Sequence, residues 1–455
     1  MPPPFFVPGT AARLLACAAL AAALSARAAP EPAAPLPRPL TLDHAIGYAL
    51  GHSPALREAR EQIAEQEGVL LEADARRLPG VNLGASYAYT EPRLFEGLPG
   101  FAFIPLPDPN SWQVAVSLRQ LVYSGGGVAA RREGATQRLA AARARLTGAI
   151  NQVILGVQED FFDVLLAREE IKVHEEAMRV LEKEAEQARV RRNAGTGSDF
   201  DVLRAEVALA NARPALVRAR NAWRAGQDAL RTALGAAAGP DAGPDTDLDV
   251  QGELVRPPLN LSLPDAIRAA REHRPELLAG EKLIAASRED IAAAQAGRKP
   301  QVSLVGDYAL RKASYQQSFG RTLNGLTVGA ELDWSIFDGR ATQARVRQAT
   351  ARAAQAEAAR DELALDVELD VRNAHRAVAE AADLLTSAQK NVDQAAESLR
   401  LARVRLEAGT ANQLEVLAAQ SALTDARSNL SQAQHDYAVS EARLLHATGT
   451  SSLTD

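Results

Sequence analysis

The chain has 455 residues, of which 47% are hydrophobic, 24% charged and only 4% aromatic, with a formal net charge of −6 and one cysteine. The near-neutral balance without a basic block argues against a nucleic-acid binder. A single cysteine excludes a disulfide framework and a Cys-rich metal site. An apolar fraction dominated by Ala, Leu and Val, mixed with Glu, Arg and Gln, is the composition of long helices and coiled coils. No apolar run beyond the N-terminus is long enough for a membrane-spanning helix, whereas short alternating strands of a β-barrel remain compatible.

Residues 1–28 read as an export signal: Arg13, an apolar run Leu14–Leu24, and a small-x-small cleavage site at Ala26-Arg27-Ala28. Leu14-Leu15-Ala16-Cys17 loosely resembles a lipid-attachment box. Too few apolar residues separate it from Arg13, so Cys17 is assigned to the signal's apolar core. Residues 29–42, rich in proline, form an extended lead-in.

The remainder is an internal duplication. Leu42-Asp43-His44-Ala45-Ile46 and Ser53-Pro54-Ala55-Leu56 recur as Leu263-Pro264-Asp265-Ala266-Ile267 and Arg274-Pro275-Glu276-Leu277, 221 residues later. Pro79 matches Pro300 at the same spacing. Tyr123-Ser124-Gly125 matches Phe337-Asp338-Gly339, and Ala194-Gly195-Thr196 matches Ala408-Gly409-Thr410, both 214 residues apart, so the second copy is shorter within one loop. Repeat 1 is assigned to 43–234, a linker at mid-height to 235–262, repeat 2 to 263–449 and a tail to 450–455.

Each repeat reads helix, strand, loop, strand, long helix, turn, helix. Strands are predicted at about 81–90, 112–122, 301–310 and 326–336, each with an apolar and a polar face. Their length suits a tilted membrane strand, and Tyr87, Tyr89, Trp112, Tyr308, Trp334 and Phe337 sit towards strand ends, as interfacial girdles require. The polar faces carry Arg119, Asp307, Glu331 and Asp333, candidate lumen residues. Residues 43–78 are predicted as one helix, and 125–194 as a helix of about 70 residues, ~105 Å long. From Val367 to Leu406 apolar residues recur at alternating spacings of four and three, a sustained heptad that implies left-handed coiled-coil packing. Its first-copy counterpart (Val153, Val157, Val164, Ala167, Ile171, Met178, Leu181, Ala185) is interrupted at Asp160 and His174. Four strands cannot close a membrane barrel, and an open edge in lipid leaves backbone groups unpaired, so several copies must share one barrel.

These duplicated signatures — the helix starts, the Pro79 and Pro300 helix-to-strand switches, the Gly125 and Gly339 strand-to-helix switches and the paired Ala-Gly-Thr tips — resemble the TolC-type outer-membrane efflux protein family over roughly residues 41–449. The resemblance implies a mainly α fold with transmembrane β: duplicated coiled-coil hairpins forming a periplasmic α-barrel, and four strands per chain in a shared 12-stranded outer-membrane β-barrel of a homotrimer. It implies a passive duct of a tripartite efflux or type I secretion system. Its periplasmic tip would dock a periplasmic adaptor protein joined to an inner-membrane pump of RND or ABC type. The tips at Gly195, Thr196, Gly409 and Thr410 are adaptor contacts by the same resemblance. Asp201 and Glu415 match the acidic residues lining the periplasmic constriction, although a capping box, Ser198-x-x-Asp201 or Asn412-x-x-Glu415, accounts for each equally well. The family's Arg and Tyr that hold the closed tip correspond to Ala411 and Leu406.

No catalytic, cofactor or metal constellation is found: the seven His residues are scattered, and Gly125-Gly126-Gly127 lacks the lysine of a phosphate-binding loop. The alternatives to a duct are a periplasmic coiled-coil adaptor, which would not need four girdled strands, and a structural trimeric coiled coil, which would not need duplicated hairpins. The four lumen residues sum to two negative charges per chain and, with Glu415 at the narrow end, predict cation preference.

Overall fold

The computed structural model describes residues 36, 38–89, 91, 110–236, 247–255, 257, 259–312 and 322–450. The export signal, most of the lead-in, both strand-connecting loops, the middle of the linker and residues 451–455 lie outside the described residues. In chain order the elements are α1 (Leu42–His52), α2 (Pro54–Ala75), β1 (Gly80–Tyr89), β2 (Asn110–Tyr123), α3 (Gly127–Asn193), α4 (Asp199–Leu234), α5 (Leu263–His273), α6 (Pro275–Gln295), β3 (Gln301–Lys312), β4 (Thr322–Asp333), α7 (Ala341–Glu407) and α8 (Gln413–Ala447). A single 3-10 turn, Ala296–Arg298, ends α6. No described helix is long and apolar enough to cross a membrane.

The predicted helix 43–78 is two helices. Pro54 has no N–H to donate and forces Ser53 out of the helical region, to ψ 127°, so the chain breaks between α1 and α2. Arg274-Pro275 repeats the break, with Arg274 at ψ 115°. The two long helices, α3 and α7, are 67 residues each. Near the strands α3 packs between α2 and α6, and α6 reaches α7; towards the tips α3 packs between α4 and α8, and α8 reaches α7. The result is four columns, two continuous and two of stacked half-helices. The α7 heptad positions, Val367 to Leu406, form a seam, and none of them is exposed. Its anchors Val367, Val371, Val378, Ala381, Leu399 and Ala402 are buried.

The largest apolar cluster lies at mid-height, where Phe161 and Phe162 of α3 meet Ile46 of α1, Leu230 and Leu234 of α4, and Val250 and Leu254 of the linker. Lead-in and linker are tied by a parallel bridge, with the Leu40 amide donating to the Asp249 carbonyl at 2.8 Å.

The four strands form one antiparallel sheet in the order β1-β2-β3-β4. β4 runs from Thr322 to Asp333 instead of 326–336. Its partner β3 begins at Gln301, opposite Asp333, because Pro300 cannot extend the ladder. Trp334 and Ile336 therefore fall beyond the strand, and Trp334 Nε1 donates to the Arg298 carbonyl at 3.2 Å.

Candidate functional site

The register sorts the sheet into two faces. Val81, Leu118 and Val328 share one face with Leu83, Val116, Tyr308 and Leu326, and all seven are exposed, Val328 to 75%. An exposed apolar sheet face of this kind suits lipid. The opposite face carries Asn82, Ser117, Asp307 and Thr327 in one cross-strand row, with Arg119, Ser303, Glu331, Gln301 and Asp333 in the rows below. All four predicted lumen residues thus lie on the polar face. Arg119 reaches over β3 to Glu331, nitrogen to oxygen 2.8 Å. β3 extends past the predicted end at residue 310, and alternation from Asp307 puts Arg311 on the same face, opposite Gln113 and Leu323. Two guanidinium groups now face three carboxylates, so the expected charge of minus two per chain falls to minus one. This corrects the basis for cation preference in the barrel.

The strand-to-helix switches are built alike. Gly125 and Gly126 have φ of 64° and 90°, and Gly339 and Arg340 have φ of 64° and 73°. Two successive left-handed residues turn each strand into its long helix. At Gly125 a side chain would also stand 2.6 Å from Lys299 Cβ, so only glycine fits. Pro79 and Pro300 immediately precede β1 and β3.

The two tips repeat one motif. Gly195 (φ 75°) and Gly409 (φ 69°) end the long helices in the left-handed region. Beyond them, the amides of Thr196 and Thr410 donate to the carbonyls of Arg191 and Arg405, each at 2.9 Å. The two hydroxyls donate to the same carbonyls at 3.2 and 3.1 Å.

The acidic residues after the tips differ. Asp201 completes a capping box: its carboxylate accepts from the Ser198 amide at 3.2 Å and from the Ser198 hydroxyl at 2.7 Å. Those hydrogen bonds hold its pKa below the usual carboxylate value. Glu415 has no such box. Its amide donates to the Asn412 side chain at 3.1 Å, while its carboxylate turns to Arg405, oxygen to nitrogen 3.1 Å. The capping explanation therefore describes Asp201 and fails for the Glu415 carboxylate.

A buried polar network, with no local signature in the sequence, joins the two hairpins just above the tips. Glu184 of α3 and Gln413 of α8 are 7% and 5% exposed. Arg191 donates to the Gln413 amide oxygen at 2.5 Å, and the Gln413 amide nitrogen donates to Glu184 at 3.0 Å. Arg403 of α7 stands 3.7 Å from the other Glu184 oxygen. Leu406, where the family's latch would place Tyr, packs into the coiled-coil cluster around Leu399 and Val416.

Among the described residues no group of His, Cys, Asp or Glu is arranged to hold a metal.

A family model described as outer membrane efflux protein matches residues 45–236 and 266–450. The outer membrane protein TolC of Vibrio cholerae is 24% identical over 306 residues, 67% of this chain and 69% of its own. The cobalt-zinc-cadmium resistance protein CzcC of Cupriavidus metallidurans is 26% identical over 399 residues, 86% of this chain and 85% of its own. The crystal structure of VceC from Vibrio cholerae superposes with a TM-score of 0.75 at 20% identity, covering 90% of this chain and 96% of that one. With a family of outer-membrane channels matched across both repeats, an outward apolar sheet face and paired coiled-coil hairpins, the chain belongs to the outer membrane efflux protein family.

Proposed function

We propose that three copies form a passive duct with no catalytic step of its own. A 12-stranded barrel lies in the outer membrane, and a helical tunnel of twelve columns runs into the periplasm. The carrying observation is the four-stranded sheet with a lipid-suited face and two free edges, β1 and β4. In lipid an open edge leaves backbone groups without partners, so β4 of one copy pairs with β1 of the next. Cargo reaches the tunnel from an inner-membrane pump through a periplasmic adaptor seated on the tips at Gly195–Thr196 and Gly409–Thr410. Light scattering of the detergent-solubilised protein tests this: a trimer is expected, and a stable folded monomer overturns it.

The relatives' names include alkaline protease secretion as well as cobalt-zinc-cadmium resistance. Ducts of this family thus serve both secretion and efflux, and this one serves an efflux or a secretion system. A coiled-coil adaptor would have no use for the sheet.

The Arg191–Gln413–Glu184–Arg403 network is proposed as the restraint that holds the hairpins together at the closed tip, in place of the Arg and Tyr this chain lacks. Gln413→Ala leaves Glu184 buried with one donor fewer and Arg191 without its acceptor, a cost of about 1–3 kcal/mol. Single-channel recording in planar bilayers should show a larger open conductance for this variant, and wild-type conductance would refute the restraint.

A further inference from the structure

Where the strands meet the helices, a cavity of about 630 Å³ is lined by four arginines, Arg76, Arg119, Arg131 and Arg345, together with Asn82 and Gln301. Asn82, Arg119 and Gln301 belong to the polar face of the sheet, so the cavity opens towards the lumen and not towards lipid. The carboxylates nearby compensate these charges incompletely. Arg119 is 2.8 Å from Glu331, and Arg76 is 3.5 Å from Glu72 in an exposed pair. Arg345 is 3.6 Å from Asp338, whose carboxylate already accepts from the Thr342 amide at 2.7 Å to cap α7. Arg131 has no ion-pair partner among the described residues.

Helix stability does not explain Arg131 and Arg345. Both long helices begin without an acidic residue in the first turn, and each carries arginine at its fifth residue, Arg131 or Arg345. The N-terminal end of a helix favours the opposite charge. At the same corner, Arg340 holds a left-handed conformation (φ 73°) at the position where the first copy has Gly126. Retaining a long cation where glycine would relieve strain points to a use for the charge.

We propose that the barrel–tunnel junction is an anion-binding collar, in which Arg76, Arg119, Arg131 and Arg345 engage phosphate, sulfonate or carboxylate groups of passing cargo. The proposal rests on the trimeric duct, which brings three copies of the cavity around one axis. Rings of arginine make anion-favouring pores, and confinement strengthens their field. Guanidinium forks bind such oxyanions by paired, charge-assisted hydrogen bonds.

Isothermal titration of the purified detergent-solubilised trimer with inositol hexakisphosphate, a multivalent phosphate probe, tests the collar. Wild type should bind, more weakly as salt is raised. Arg131→Gln combined with Arg345→Gln should weaken binding by about ten-fold or more, while the corresponding double lysine variant keeps most of it. Replacing Arg298 and Lys299 by Gln, at the same junction but outside the cavity, should change nothing. No binding by wild type, or undiminished binding by a double Gln variant that still runs as a trimer, overturns the collar. So does binding lost only with Arg298 and Lys299, which would place the anion at the lipid headgroups. A wild-type protein that runs as a monomer on a gel would instead count against the duct.

Discussion

A methyl group on Gly235 would stand 2.6 Å from the carbonyl oxygen of His52. The end of α4 is seated on the break between α1 and α2, which is how one half-helix stacks on the other. The second repeat copies the contact, with Gly449 meeting the backbone of His273 at 2.8 Å by the same measure. Gly235, Gly449 and Gly409 share a positive φ near 70°, but a methyl group on Gly409 would meet nothing within 4 Å. Alanine at Gly409 should therefore cost only the left-handed backbone penalty, about 1–2 kcal/mol. Alanine at Gly235 or Gly449 should cost clearly more, because a carbonyl must also move. Urea midpoints of trimer dissociation on gels measure the difference, and equal losses at Gly235 and Gly409 would mean that the join yields freely.

The Arg405–Glu415 pair bears on the tip. Both partners are about half exposed, so the pair contributes at most about 1 kcal/mol. With Glu415 proposed to line the periplasmic constriction, the pair's importance is to charge: each Glu415 carboxylate is offset by an adjacent guanidinium. Glu415→Gln should leave block by multivalent cations from the periplasmic side nearly unchanged in planar bilayers. Arg405→Gln should strengthen it, by releasing the carboxylate ring. A loss of block in Glu415→Gln would show that the carboxylate already faces the axis uncompensated.

Much of this architecture was legible in the residues, because the duplication is written in glycines and prolines whose backbone roles are local. Pro79, Pro300, Gly195 and Gly409 stand where their conformations require them. The α7 heptad is buried or half-buried along its length, as its spacing demands. Pro54 is as local a signal, and the helix break it causes recurs at Pro275. Strand ends were less visible, since β4 stops where its partner has a proline and β3 runs on to include Arg311, both facts of pairing and not of propensity. The Glu184–Gln413 contact joins residues 229 apart in sequence through side chains alone, and no periodicity announces it.

Acidity should act on the joint between the repeats. His435 of α8 is buried against α3, with Nε2 2.7 Å from Asp163 and Nδ1 3.1 Å from Asp436. Burial pulls the imidazole pKa down, but the hydrogen bonds and charges of the two aspartates outweigh it and the net shift is upward. Stability from this group is full below the ordinary imidazole value of 6.5 and is lost as pH rises through the raised one. Asp160 lies on the same stretch of α3, and its pKa is raised first by burial and then by Asp163 and Glu159. Its cost sets in lower, as pH climbs from the ordinary aspartate value of 3.8 to the raised one. Urea midpoints should therefore fall in two separate pH windows. His435→Gln should abolish the upper one and Asp160→Asn the lower, and a midpoint flat across neutral pH in wild type would rule out the His435 contribution.

Arg340 offers a trade between stability and charge. The first copy makes the same corner with two glycines, Gly125 and Gly126, so glycine fits the backbone path that Arg340 follows at φ 73°. A non-glycine residue held in this region costs about 1–3 kcal/mol. Glycine also gives back some unfolded-state entropy, about 0.4–1 kcal/mol, so Arg340→Gly should stabilise the trimer by roughly 1 kcal/mol. The corner is duplicated, so the reverse substitution is an internal control: Gly126→Arg should destabilise by a similar amount. If the arginine is retained for its charge, Arg340→Gly should also weaken inositol hexakisphosphate binding, though less than the loss of Arg131 and Arg345, since Arg340 stands beside the cavity and not in its lining. A variant that gains stability and binds the probe unchanged would leave Arg340 without a part in the collar. One that loses stability would show that its side chain anchors the corner.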